Sequence, residues 1–132
     1  MAILGIDPGT RKCGYAVVET IGGVPLDLGI EPTDRLAERV RTLVASYAPT
    51  AIALGRGTHS AFVQGLIAGY GIPIALVDEY ETTLLARKRY FAAHPPAWWL
   101  RLVPRGMLLP PRPIDDFAAV LIAERLLALR EN

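Results

Sequence analysis

The first apolar run of this chain, Ala2-Ile3-Leu4-Gly5-Ile6, ends on an acid, Asp7, with Pro8-Gly9-Thr10 directly behind it. A run of this length and character reads as a buried strand. A carboxylate at the end of such a strand is costly unless it is paired or holds a cation. Gly9 lets the backbone turn tightly beside it. The fold must therefore bring a compensating group to the end of its first strand.

The elements that follow set the fold class. Cys13 to Thr20 reads as a second strand, with Tyr15 and Val17 on one face and Ala16 and Val18 on the other. Gly22-Gly23 marks a hairpin, so Val24 to Ile30 forms a third, antiparallel strand. Thr33 or Asp34 can cap a helix whose apolar stripe is Leu36, Val40, Leu43, Val44 and Tyr47, and Pro49 ends it. Ala51 to Leu54 is a fourth strand, Ser60 to Tyr70 a second helix, and Pro73 to Val77 a fifth strand ending on Asp78 and Glu79. A third helix runs from a cap at Thr82 or Thr83 to about His94. Six of the eleven prolines fall between Pro95 and Pro113, which reads as an irregular loop. Asp115 to Leu129 is the last helix. The order predicts an α/β fold: a three-stranded antiparallel meander, then α-β-α-β-α-α, with helices flanking one five-stranded mixed sheet. The 132 residues suit a single domain spanning 1–132.

Several function classes are excluded. No apolar run approaches the length of a membrane span. The first residues lack a basic region and meet an aspartate early, so they do not read as a signal peptide. Cys13 is the only cysteine, which rules out a disulfide within the chain and a cysteine-based zinc site. A cytoplasmic location is the expectation. The chain has no zincin pair, nucleophile elbow, Walker loop or dinucleotide fingerprint. Its histidines, His59 and His94, are far apart in sequence.

The carboxylates remain. Asp7 and Glu79 each follow a buried strand, and Asp115 opens the final helix with Asp116 beside it. Taken singly, each has an ordinary structural role; an Asp-Asp pair at a helix start is common capping and dipole chemistry. Together they offer hard oxygen ligands from separate elements, which suits Mg²⁺ or Mn²⁺ better than zinc. Two such ions roughly 4 Å apart can activate a water and stabilise the leaving oxygen of a phosphodiester. The acids would repel one another without the metal.

The net charge is only +1, but its distribution is uneven. Residues 82 to 114 hold six cations, Arg87, Lys88, Arg89, Arg101, Arg105 and Arg112, and no acid. Tyr90, Phe91, Trp98 and Trp99 are interleaved with them. Cations neutralise phosphates and exposed aromatics stack on unpaired bases, so this segment predicts a nucleic-acid surface. Arg11 and Lys12 in the first turn, and Arg56 after the fourth strand, are further candidate contacts. Monomer and homodimer both fit the sequence.

Three separated motifs resemble one family. Ile3-Leu4-Gly5-Ile6-Asp7-Pro8-Gly9-Thr10-Arg11 with Gly14-Tyr15-Ala16 resembles the opening strand pair of RuvC-like nucleases. Val77-Asp78-Glu79-Tyr80-Glu81-Thr82-Thr83 resembles the Asp-Glu-Arg-x-(Ser/Thr)-Thr motif of the YqgF/RuvX family. Ile114-Asp115-Asp116-Phe117-Ala118-Ala119 resembles that family's final Asp-x-x-Ala-Ala helix. The resemblance implies an RNase H-like fold and a metal-dependent nuclease, acting in precursor 16S ribosomal RNA processing or on Holliday-junction-like DNA. It assigns catalysis and metal binding to Asp7, Glu79 and Asp115; Asp116, a neighbour the match does not require, is a further candidate metal ligand.

The chain also departs from the pattern. RuvC resolvases usually carry an acid on the fourth strand, whereas Ala51-Ile52-Ala53-Leu54-Gly55 has none, which favours the YqgF/RuvX branch. The family's Gly-x-Pro-Leu-Asn is Gly55-Arg56-Gly57-Thr58-His59 here, and the arginine after Asp-Glu is Tyr80. A second reading follows from these changes: a nucleic-acid-binding protein on the same fold with impaired catalysis. A sugar- or acetate-kinase lobe, which shares the Asp-x-Gly opening, needs two such domains to enclose nucleotide.

Overall fold

In a computed structural model of the chain, the described residues are 2–57, 59–78 and 115–131. They form a five-stranded sheet in the order β3-β2-β1-β4-β5. β1 is Ile3–Asp7, β2 Lys12–Val18, β3 Asp27–Pro32, β4 Ala51–Arg56 and β5 Ile74–Asp78. β1 pairs antiparallel with β2, and β2 with β3, giving the expected meander. β4 joins β1 in parallel and β5 joins β4 in parallel, as strand–helix–strand crossovers require. The helices are α1 (Leu36–Tyr47), α2 (Ser60–Ile67, continued by a 3-10 turn, Ala68–Tyr70) and α3 (Asp115–Glu131). The sheet and flanking helices are those of the RNase H-like fold. The helix expected at 82–94 and the proline-rich loop after it lie outside the described residues.

Strand alternation sorts the core onto two faces. Leu4, Ile6, Cys13, Tyr15, Val17, Ile52 and Leu54 meet Leu36, Val40 and Leu43 of α1 and Val63 and Ile67 of α2. Ile3, Ala16, Val18, Ala51, Ala53 and Val77 meet α3 through Ala119, Val120, Ile122, Ala123, Leu126 and Leu127. α3 is apolar round most of its circumference, as a helix this deeply buried must be.

α3 reaches β1 through Gly5. A Cβ there would collide with the Ala119 carbonyl and stand 2.8 Å from the Ala123 Cβ. Just past this crossing, the Glu124 carboxylate, itself buried, accepts a 2.7 Å hydrogen bond from the Gly22 amide in the β2–β3 hairpin. The hairpin lies beyond Val18, which pairs with Ile3 at the start of β1. α3 therefore runs antiparallel to β1, and its first turn lies toward the Asp7 end.

Three boundaries differ from the sequence pattern. β3 begins at Asp27, because Pro25 donates no ladder bond and Val24, 91% exposed, contributes nothing to the core. β2 ends at Val18, since the chain turns at Gly22 (φ 78°). Thr33 is not a helix cap: it opens a 3-10 turn, Thr33–Arg35, with no side-chain capping bond at either this turn or α1. Its hydroxyl is engaged elsewhere.

Two substitutions test this packing. Gly5→Val should destabilise the protein by about 1–3 kcal/mol or more, because α3 must lift from β1; an unchanged urea midpoint would contradict the close contact. Ala48, which closes α1, holds a left-handed conformation at φ 45°. Ala48→Gly should raise stability by up to about 1 kcal/mol, the strain relieved being partly offset by the freedom glycine adds to the unfolded chain. A lowered melting temperature would argue against this strain.

Candidate active site

Register lines up the carboxyl ends of the three parallel strands. Ile6 is level with Leu54, and Leu54 with Leu76. Continuing that register places Gly55 beside Asp7, with Val77 beyond it. On the other side, Asp7 pairs with Gly14 of β2. Asp7 has the parity of Ile3 and Gly5, so it occupies the α3 face of the sheet. Gly14 and Gly55 share that face. The row Gly14–Asp7–Gly55 thus bears one side chain, a half-buried carboxylate. Ligand chemistry in sheets of this kind gathers at the carboxyl ends of the strands.

α3 supplies the second group of acids. Ala119 and Ala123 form the stripe that lies over Gly5, and position 115 falls one turn earlier on the same stripe. Asp116 is buried, and its Oδ1 accepts a 2.9 Å hydrogen bond from the Phe117 amide. Because α3 runs antiparallel to β1, positions 115 and 116 and Asp7 share one end and one face of the sheet. Glu79 lies outside the described residues. Asp78, the residue before it, alternates with Val77 and so belongs to the opposite face. Among the described residues no group of three His, Cys, Asp or Glu side chains is close enough to hold a metal ion. The chemistry of the donors nonetheless fits a hard cation, since every acid at this edge offers carboxylate oxygen.

The candidate nucleic-acid contacts divide. Gly9, Thr10, Arg11 and Lys12 line an open groove of about 430 Å³ beside Asp7. Lys12 has the parity of Gly14 and lies on Asp7's face of the sheet. Arg56 does not join them: it is exposed and has the parity of Ile52 and Leu54, which places it on the other face. Arg87, Lys88, Arg101 and Arg105 lie outside the described residues. A second depression, about 210 Å³, is lined by Glu31, Arg35, Glu38, Arg39 and Thr42 between β3 and α1. It holds the Arg39–Glu31 ion pair at 3.1 Å and, because Glu31 pairs with Cys13, lies on the opposite face of the sheet from Asp7.

One contact was invisible in the sequence. The His59 Nε2 and the Thr10 hydroxyl are 2.8 Å apart, 49 residues distant in the chain. His59 thereby joins the loop after β4 to the turn after β1, and does not simply face solvent. The pattern that could have hinted at it is positional: both residues sit just past the ends of adjacent parallel strands.

The sheet order, with Asp7 at the end of β1 and the start of α3 toward the same end, defines a class, the proteins of the RuvC-like RNase H fold. The chain belongs to the RuvC family. The family model "Crossover junction endodeoxyribonuclease RuvC" matches residues 3–56. RuvC of Streptomyces avermitilis is 30% identical in an alignment covering 93% of this chain and 85% of that protein. The "Putative pre-16S rRNA nuclease" of Coxiella burnetii is 24% identical, covering 98% of this chain and 94% of its own. The structure of Thermus thermophilus RuvC with a Holliday junction substrate superposes with a TM-score of 0.63 at 22% identity, over all of this chain and 96% of that one.

A double-mutant cycle on Thr10→Val and His59→Ala should give a coupling of about 0.5–1.5 kcal/mol in denaturant stability, the value of one hydrogen bond. Additive effects would show that the contact contributes nothing in solution.

Proposed function

We propose that this protein is a divalent-metal-dependent endonuclease that hydrolyses phosphodiester bonds in branched DNA. The observation that carries the reading is the row Gly14–Asp7–Gly55: a carboxylate between two residues without side chains, on the sheet face whose edge also receives the first turn of α3. Asp7, Asp115, Asp116 and Glu79 would hold the metal, Mg²⁺ or Mn²⁺. When bound, the ion activates water and offsets charge on the leaving oxygen.

The chain's own residues supply the rest. Glycines flanking Asp7 put no side chain beside the reacting phosphate. Arg11 and Lys12 along the groove would contact the phosphodiester backbone. The basic segment 82–114 would add further contacts, and with them a steep salt dependence of binding. Branched DNA is preferred to ribosomal RNA precursor because a RuvC relative aligns at higher identity than the pre-16S rRNA nuclease relative.

A second reading rests on a specific observation. Gly55 occupies the fourth-strand position beside Asp7, where an acid of β4 would otherwise complete the set. A chain short of one ligand could bind junctions without cutting them.

Mn²⁺-dependent cleavage of a labelled four-way DNA junction, abolished by chelator, is the expected result. Asp7→Asn should lower the rate by on the order of a hundredfold or more. Junction binding with no cleavage by the parent protein would favour the second reading. Equal rates in parent and Asp7→Asn would remove Asp7 from the site.

A further inference from the structure

We propose that Thr33 is a positioning residue for the nuclease site, holding the turn that carries Asp7 by clamping the carbonyl of Gly9. The inference rests on the nuclease reading and adds to it a residue that touches neither metal nor substrate.

The turn between β1 and β2 spans four residues, Pro8 to Arg11. Gly9 is its tightest point: a Cβ there would strike the Lys12 carbonyl. Two side chains from outside the turn engage both polar groups of the Gly9 residue. The Thr33 hydroxyl donates to the Gly9 carbonyl at 3.0 Å. The Gly9 amide donates to the Cys13 sulfur at 3.4 Å. Cys13 Sγ stands 3.4 Å from the Thr33 hydroxyl and 3.7 Å from the Gly9 carbonyl. With the hydroxyl hydrogen committed to Gly9, the thiol is the donor in either contact. The Thr33 amide closes the set by donating to the Arg11 carbonyl at 2.9 Å.

Thr33 thus grips the turn at two points, Gly9 and Arg11, from the junction between β3 and α1. Thr33 is 6% exposed and Cys13 fully buried, so water does not compete for these bonds. Only Pro8 separates Gly9 from Asp7, and its φ is fixed by its ring. A displacement of the Gly9 peptide therefore passes to Asp7 with little slack, and it also moves Thr10 and Arg11 along the groove. A shift of about 1 Å at a reacting group costs up to a hundredfold in rate. This role accounts for the absence of a capping bond from Thr33 at the start of the helical segment.

The test uses the full chain with Thr33→Val, which deletes the hydroxyl and keeps the branched shape, and Thr33→Ser, which keeps the hydroxyl. Two readouts are taken: amide hydrogen exchange at residues 9–12, and kcat and KM for Mn²⁺-dependent cleavage of a four-way junction. Thr33→Val should speed exchange in the turn by about tenfold, as loss of one buried hydrogen bond implies, without change in β1 or β4. Its kcat should fall about ten- to a hundredfold with KM within about twofold, as for a group acting on the reacting centre. Thr33→Ser should restore both. Unchanged turn exchange in Thr33→Val overturns the clamp. Faster exchange with unchanged kcat overturns its part in catalysis. Equal damage in Thr33→Ser assigns the effect to the methyl group and overturns the hydroxyl's role. A parent protein that does not cleave fails the nuclease reading instead, and exchange alone then decides the clamp.

Discussion

The contact between α3 and β1 at Gly5 sets the geometry on which the candidate site depends. A helix cannot lie this close to a strand unless the strand lacks a side chain at the crossing and the helix presents small ones. Gly5 meets the first condition and Ala119 and Ala123 the second. The Glu124–Gly22 hydrogen bond, just past the crossing, fixes the helix's direction. Once both are made, the rise of the helix carries positions 115 and 116 back to the end of β1 where Asp7 stands. Apolar packing thus decides toward which end of the sheet the start of α3 lies.

The environment of Asp7 follows a related logic. A carboxylate ending a buried strand must find compensation, and the sheet leaves space on its own face by flanking it with Gly14 and Gly55. The opposite face at the same level is filled with Ile6, Tyr15 and Leu54, and is closed by α1 and α2. One face of the sheet is thus closed by packing at this edge, and the other carries the Asp7 carboxylate. That division explains why Arg56, one residue beyond Gly55, falls outside the site: a single step along a strand reverses its face.

Much of this was legible in the sequence. Every described strand and helix was anticipated within a few residues, because alternation and helical periodicity are local signals. The meander and the crossovers followed from the order of those elements. Misplaced boundaries clustered where turn chemistry outweighs hydrophobicity, at Pro25 and Gly22. Thr33 and Asp34 both suit a helix cap by residue type and position, but neither the Thr33–Arg35 turn nor α1 has a side-chain capping bond. The Thr33 hydroxyl is spent instead on Gly9, a partner 24 residues away that no local pattern reveals.

The sequence by itself determined the element order, the strand-end position of Asp7 and the helix-start position of Asp115 and Asp116, since each depends only on neighbouring residues. The tertiary structure decided which residues share a face and an edge: Gly14 and Gly55 around Asp7, His59 against Thr10, and Arg56 turned away. The physical reason is that register between distant strands is set by backbone ladders and by how closely α3 can approach Gly5. Both are properties of the packed molecule, and neither is written in any one stretch of chain.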